Sequence, residues 1–407
     1  MIILVINCGS SSLKYQLIEI SNETLLCSGL IERIGEPIGA LIHKLYLEDS
    51  AEVHKTAQFF ADHDAALEAV LACITGKKTG AINSVEEIEI VGHRVAHGGE
   101  LLQETVVVGE KEKKAIRSLF SIAPLHNPAN LQGIEVALKL CPQAPSVAVL
   151  DTGFHASMPE KAFRYALPEN FYTKYGIRRY GFHGSSHKYV SQRAAVLLKK
   201  PLDKLNLITC HLGNGCSITA VRGGKSVDTT MGFTPTAGVM MGTRVGDLDP
   251  AVPLFMISAG FTPEEVENIL NKQSGLKGIC GMNDLRDILA AMQHGDIKAI
   301  LAFDMFCYGV KRQIGALWAV LGQVDGIVFT AGIGENCPEV RAAGLAGLES
   351  WGVKLDSALN SAPGADARLI SAPGSKVAVA VIPTNEELEI ARAAFAAVQK
   401  QAGEHPV

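Results

Sequence analysis

No C-x-x-C pair, no long apolar run and no excess of basic residues occur in this 407-residue chain. Each absence removes a class of protein. The nine cysteines are odd in number and scattered from Cys8 to Cys337, which reads as reduced thiols in a cytosolic protein and not as a disulfide frame or a zinc site. No stretch approaches the ~20 apolar residues of a membrane span. "MIILVIN" has no basic residue ahead of its short apolar run, so it reads as a first strand and not as a secretory signal. The formal net charge of -5 argues against a nucleic-acid binder, which needs a basic face. A soluble, cytoplasmic protein with neither nucleic-acid nor membrane partners is expected.

What is present fits a filled interior: 47% of residues are hydrophobic and 19% charged, a globular balance. The length is too great for one ordinary core, so two domains are expected. Ile2–Ile6 reads as a strand with Leu13–Ile20 as its hairpin partner. Residues 59–74 carry apolar side chains at helical spacing, and 88–99 and 145–155 read as strands, the second ending on Asp151. Residues 205–221 repeat the opening design of apolar run, small polar turn, apolar run. Thr262, Pro263 and Glu265 mark a helix start, a long helix fills much of 296–321, 326–336 is a strand with a Gly-rich turn, and 377–398 is a strand followed by the last helix.

The opening turn, "VINCGSSSLKY" (5–15), lacks the glycine that a P-loop places before its lysine, and a strand follows it where a P-loop opens a helix. By itself it fits a Ser-rich hairpin tip as well as a backbone nest for an anion with Lys14 beside it. "HLGNGC" (211–216) and "AGIGEN" (331–336) are further glycine turns closing apolar strands. The first two hairpins lie 204 positions apart, about half the chain, which suggests two related α/β halves facing each other across a cleft.

Several segments together, "NCGSSSLKY", "GHRVAHGGE", "APLHNP", "RRYGFHGSSH", "HLGNG", "MMGTRVGD", "FTAGIGEN" and "PTNEE", resemble the acetate kinase family, in order from residue 3 to about residue 395. The resemblance implies two ribonuclease-H-like domains of the actin-like ATPase fold with a central cleft. Residues 1–151 with 385–407 would form the acyl and phosphate-binding domain, and 152–384 the nucleotide-binding domain. It implies magnesium-dependent, reversible phosphoryl transfer from ATP to acetate, with manganese as an alternative ion and a homodimer as the assembly.

Carrying a phosphoryl group to a carboxylate requires neutralising two anions, work suited to the arginine fork. By resemblance Arg94 and Arg244 line the acyl and phosphoryl site, with Ala96, His126, Phe182 and Pro235 around the acid. His183 in "GFHGSSH" reads as a satisfied structural histidine or, by resemblance, as a donor to the phosphoryl oxygens. A metal role for His183 with His187, or His93 with His97, is disfavoured by their Gly-flanked loops. The resemblance assigns Asn7 and Glu386 to magnesium, while Thr384 and Glu387 spell a capping box. It treats Asp151 as an acid/base residue. Acetate is already ionised, however, its pKa being ~4–5, so Asp151 reads as orienting a metal-bound water or a site arginine.

ATP contacts implied by the resemblance are Ser10, Ser12 and Lys14; His211, Leu212, Gly213, Asn214 and Gly215; and Gly332, Ile333, Gly334, Glu335 and Asn336. "GMNDLR" adds Asn283, Asp284, Leu285 and Arg286 near the adenosine, where the bland reading is a capped helix start. Ala96 stands where acetate-specific members often carry Val, which leaves room for propionate; Thr236 and Ala237 also depart from the usual pattern beside Pro235. A non-enzymatic nucleotide switch is the alternative of another class, against which the paired arginines and "APLHNP" argue.

Overall fold

The computed structural model describes residues 1–47, 50–124 and 126–404. Two compact units result: Met1–Gly153 with the chain from Asn385 onward, and Phe154–Thr384.

In the first unit the strands are β1 (Ile2–Cys8), β2 (Ser12–Glu19), β3 (Thr24–Glu32), β4 (Gly39–Tyr46), β5 (Ala51–Gln58), β6 (Ile88–Val95), β7 (Val106–Val107) and β8 (Ser146–Leu150). Among the described residues they form one sheet ordered β5-β4-β3-β2-β1-β6-β8-β7. The β1–β2 hairpin is antiparallel, while β1, β6 and β8 run parallel. Every residue of β8 is buried, as expected of a parallel strand covered on both faces. Packed on these strands are the helices Asn127–Leu140 and Glu386–Glu404. The helix expected over 59–74 begins at His63, because Asp62 caps it by accepting from Ala65 N at 2.9 Å. Phe60, just ahead, is buried in the core with Leu4, Tyr15 and Val70.

The second unit holds β9 (Asn206–Leu212), β10 (Cys216–Arg222), β11 (Lys225–Thr229), β12 (Gly326–Thr330), β13 (Arg368–Leu369) and β14 (Ala378–Val381), ordered β11-β10-β9-β12-β14-β13. Its pattern repeats that of β3-β2-β1-β6-β8-β7 strand for strand. A hairpin and a third antiparallel strand come first, then two parallel partners, then a short antiparallel edge. The echo between two short turns therefore extends through both sheets, and β4 and β5 are the first sheet's own addition. The long helix Ile297–Leu321, capped by Asp296, packs Phe306 and Val310 into a core with Ile208, Ile218, Ile327 and Phe329.

Thr262 and Glu265 form the expected capping box. Two local readings are corrected. "AGIGEN", read as a glycine turn leading into a helix, is itself the short helix Ala331–Asn336. The Thr384–Glu387 capping box does not form. Asn385 Oδ1 accepts from Leu388 N at 3.0 Å, Thr384 Oγ1 donates to Ser186 Oγ at 2.8 Å, and Glu387 pairs with Lys14. All nine cysteines are free thiols, and no helix among the described residues is long and apolar enough to cross a membrane.

Candidate active site

In the first unit the candidate residues gather at the carboxyl ends of parallel strands, where open α/β sheets place ligands. Arg94 is the penultimate residue of β6, and Asp151 follows β8, its N–H donating to Val95 O at 2.9 Å. The guanidinium meets the carboxylate as a fork: Nε donates to Oδ1 at 3.1 Å and Nη2 to Oδ2 at 2.6 Å. Asp151 is buried and Arg94 half-buried, so the pair holds Arg94 in one orientation, and the Asp151 charge raises its pKa further.

The second carboxylate near Arg94 is Glu386, in the first turn of the last helix, with Oε2 4.0 Å from Nε. Burial, reinforced by the Asp151 and Glu387 charges, pushes Glu386 up to about 7 against the pull of Arg94 and Lys14. Its neighbour Glu387 pairs with Lys14, which lies opposite Asn7 in the β1–β2 register. An amide oxygen at Asn7 and a carboxylate at Glu386 are hard donors of the kind magnesium takes. A carboxyl that its surroundings hold against ionisation is one a divalent cation would recharge. The residues fit the ion.

The β1–β2 tip closes through Gly9 N donating to Ser12 O at 2.8 Å, with Ser10 exposed and Lys14 half-exposed. Behind it, Asn130 Nδ2 donates to Cys8 O at 2.7 Å while its Oδ1 accepts from Ala96 N at 2.9 Å. One buried amide thus ties the end of β1 to the loop after β6. His126 stands at the N-cap position of the helix that carries Asn130.

In the second unit His183 precedes the helix Gly184–Leu198 with a left-handed backbone, φ +58°. Its ring stacks on His211, centroids 4.0 Å apart. A Cβ built on Gly215 would stand 3.4 Å from both the His183 ring and Arg244 Nη1, so this glycine leaves both groups an open approach. Arg244 Nη1 also donates to Pro235 O at 3.3 Å, and burial lowers its pKa. Phe182 and Leu212 are both buried in the hydrophobic core of this unit.

A cavity of about 560 Å³ brings together three of the singled-out segments: Gly213 and Asn214; Asn283 to Arg286; and Gly332, Ile333 and Asn336. Asp284 caps the helix Leu285–Gln293 and also lines this cavity. Glu335 does not line it. Its Oε1 accepts from Ala331 N at 2.7 Å and Thr384 N at 3.1 Å, bracing the turn. Leu289 and Cys337 complete the lining and escaped the sequence reading; Leu289 lies one helical turn from Leu285, which was the available signal.

A nucleotide-sized cavity under glycine turns and an arginine fork at strand ends, on twin sheets of one topology, define a phosphoryl-handling α/β protein of the actin-like ATPase fold. The chain belongs to the Acetokinase family, whose sequence model matches residues 2–392. It is 55% identical over 394 residues to the acetate kinase of Oleidesulfovibrio alaskensis, spanning 96% of this chain and 98% of that protein. The crystal structure of Porphyromonas gingivalis acetate kinase matches with a TM-score of 0.92 at 41% identity, covering 98% and 99% of the two chains. A propionate kinase from Francisella tularensis matches at 0.89 and 38% identity, covering 97% and 99%. The chain is therefore a phosphotransferase with a carboxyl group as acceptor, which sets aside the non-catalytic switch.

Proposed function

We propose that the chain transfers the γ-phosphoryl of ATP reversibly to acetate, giving acetyl phosphate and ADP. The observation that carries the acceptor is the Arg94–Asp151 fork. Asp151 takes Nε and Nη2, which fixes the plane of the guanidinium and leaves Nη1 to an incoming carboxylate. Asp151 is then an orienting residue, and ionised acetate needs no base. Arg244, whose charge is disfavoured by burial, gains from an anion beside it and stabilises the transferring phosphoryl, with His183 as a donor to its oxygens. The 560 Å³ cavity takes the adenosine. Asn7 and Glu386 would hold magnesium or manganese, which would supply positive charge against the phosphates.

A second reading, propionate as the better acceptor, is favoured by Ala96 and by the likeness to the Francisella propionate kinase. One methylene changes discrimination by only ~1–3 kcal/mol. Acyl-hydroxamate assays with both acids decide: a higher kcat/KM for acetate is expected, and the reverse order gives the second reading. In the same assay Arg244→Ala lowers kcat by at least roughly 100-fold with the fold retained; near-normal turnover removes its assignment.

The homodimer belongs to the same proposal. The helix Ala251–Ser258, "AVPLFMIS", has no charged residue and no buried one, a surface that suits a second copy. A cytoplasmic location suits nine free thiols,.

A further inference from the structure

Behind His183 lies a line of buried polar side chains that the transfer itself does not use. His183 Nδ1 is 2.9 Å from Ser217 Oγ, Ser217 Oγ is 2.7 Å from His187 Nε2, and His187 Nδ1 is 2.7 Å from Thr209 Oγ1. Ser217, His187 and Thr209 are each fully buried. A hydroxyl and a neutral imidazole both donate once and accept, so such a line can run in either direction.

The end of the line sets the direction. Among the described residues, the Thr209 hydroxyl has His187 Nδ1 as its one hydrogen-bonding partner. A buried hydroxyl that gave its proton to nothing would bear the full cost of desolvation. Thr209 therefore donates to His187 Nδ1. His187, left with its proton on Nε2, donates to Ser217 Oγ, and Ser217 in turn donates to His183 Nδ1. The His183 proton then sits on Nε2.

The surroundings agree. Burial, with His155 and His211 as neighbours, holds the His187 pKa well below the ordinary value, so the ring stays neutral. His155 Nε2 lies 2.9 Å from the Phe182 carbonyl, to which it donates, and its Nδ1 lies 2.9 Å from Ser226 Oγ. Arg244, flanking Gly215 with His183, disfavours a second cation there.

On the reading of His183 as the phosphoryl donor, we infer that Thr209, His187 and Ser217 are positioning residues that lock His183 in its neutral Nε2–H form. The nitrogen directed toward Gly215 is then a donor before any substrate arrives, and no proton has to be relocated during transfer.

Long-range proton–nitrogen correlation on histidine-labelled protein near neutral pH reads the tautomer directly, with His183 assigned through its loss in His183→Asn. A protonated Nε2 and bare Nδ1 are expected; a protonated Nδ1, alone or with Nε2, overturns the relay. In Ser217→Ala the population shifts toward Nδ1–H, and kcat falls roughly tenfold, the worth of one hydrogen bond. KM for acetate and ATP changes less than about twofold, the mark of an interaction made in the transition state. Ser217→Thr keeps the hydroxyl and restores most of kcat. Wild-type kcat and tautomer in Ser217→Ala overturn the proposal, whether or not His183 meets the phosphoryl. Full activity in His183→Asn instead removes the phosphoryl reading alone, while the tautomer in the unsubstituted protein still reports the relay.

Discussion

His93 and Arg94 are neighbours on β6 with opposite fates, because successive strand residues face opposite sides of the sheet. Arg94 turns to Asp151, whereas His93 is buried, with Nε2 3.2 Å from Ser146 Oγ. Burial pushes the His93 pKa down to about 3. The folded protein thus binds this proton less tightly than the unfolded chain, whose histidine titrates near 6.5. Stability is fully present above that value and lost as the pH falls below it. The loss is about 1.4 kcal/mol at pH ~5.5, or roughly 3–6 °C in the melting temperature of a unit this size. His93→Gln should flatten the thermal midpoint between pH ~7.5 and ~5.5 by that amount; an unchanged slope would show that His93 accepts the proton in place. At this scale, the residues with charge or special backbone were legible. Arg94, Asp151 and Glu386 end strands or open a helix in motifs with a shape of their own. Ser217 and Thr209 were not, since a hydroxyl inside an apolar strand looks like any other β-former.

Hairpins, the long helix and the Thr262 cap were readable because each has a local cause, a two-fold or 3.6-fold pattern or a capping pair. What escaped depends on partners distant in sequence. Residues 51–58, "AEVHKTAQ", have almost no buried side chain, so the edge strand β5 carries no alternation and is defined by pairing with β4. Thr384 and Glu387 spelled a cap correctly, yet Ser186 and Lys14 claimed them first. Asn130 is the largest such case. It sits in a helix as an ordinary polar residue, but its amide satisfies backbone groups at the ends of two strands. Asn130→Ala leaves a buried carbonyl and a buried N–H without partners, a cost of about 2–4 kcal/mol. Urea unfolding should show it as a lowered midpoint, with a loss under about 1 kcal/mol meaning that water replaces the amide.

Over the whole molecule, composition could not tell a core helix from one that faces outward. "AVPLFMIS" has no charged residue, yet Phe255 is 73% exposed, and Ile297 at the start of the long helix is 80% exposed. If these apolar faces meet a second copy, Phe255→Glu should convert a sedimenting dimer to a monomer at micromolar concentration. A native protein that sediments as a monomer would remove the proposed assembly. Domain number and family were readable from length and ordered motifs because they are spread over nearly the full chain, whereas an exposed face is a property of the folded surface alone.

The first unit is closed by the last helix, Glu386–Glu404, which packs on β1, β6 and β8 and carries Glu386 toward Arg94. Its sheet is translated early, but its covering helix and one of its acidic groups follow the whole of the second unit in sequence. Units of this kind normally mature in the order of synthesis, and here the first must wait for the second to be made. A nascent chain stalled on the ribosome short of residue 386 would present an uncovered sheet face to chaperones and no complete site. A chain truncated ahead of Glu386 would therefore lack both the cover of this sheet face and the carboxylate beside Arg94.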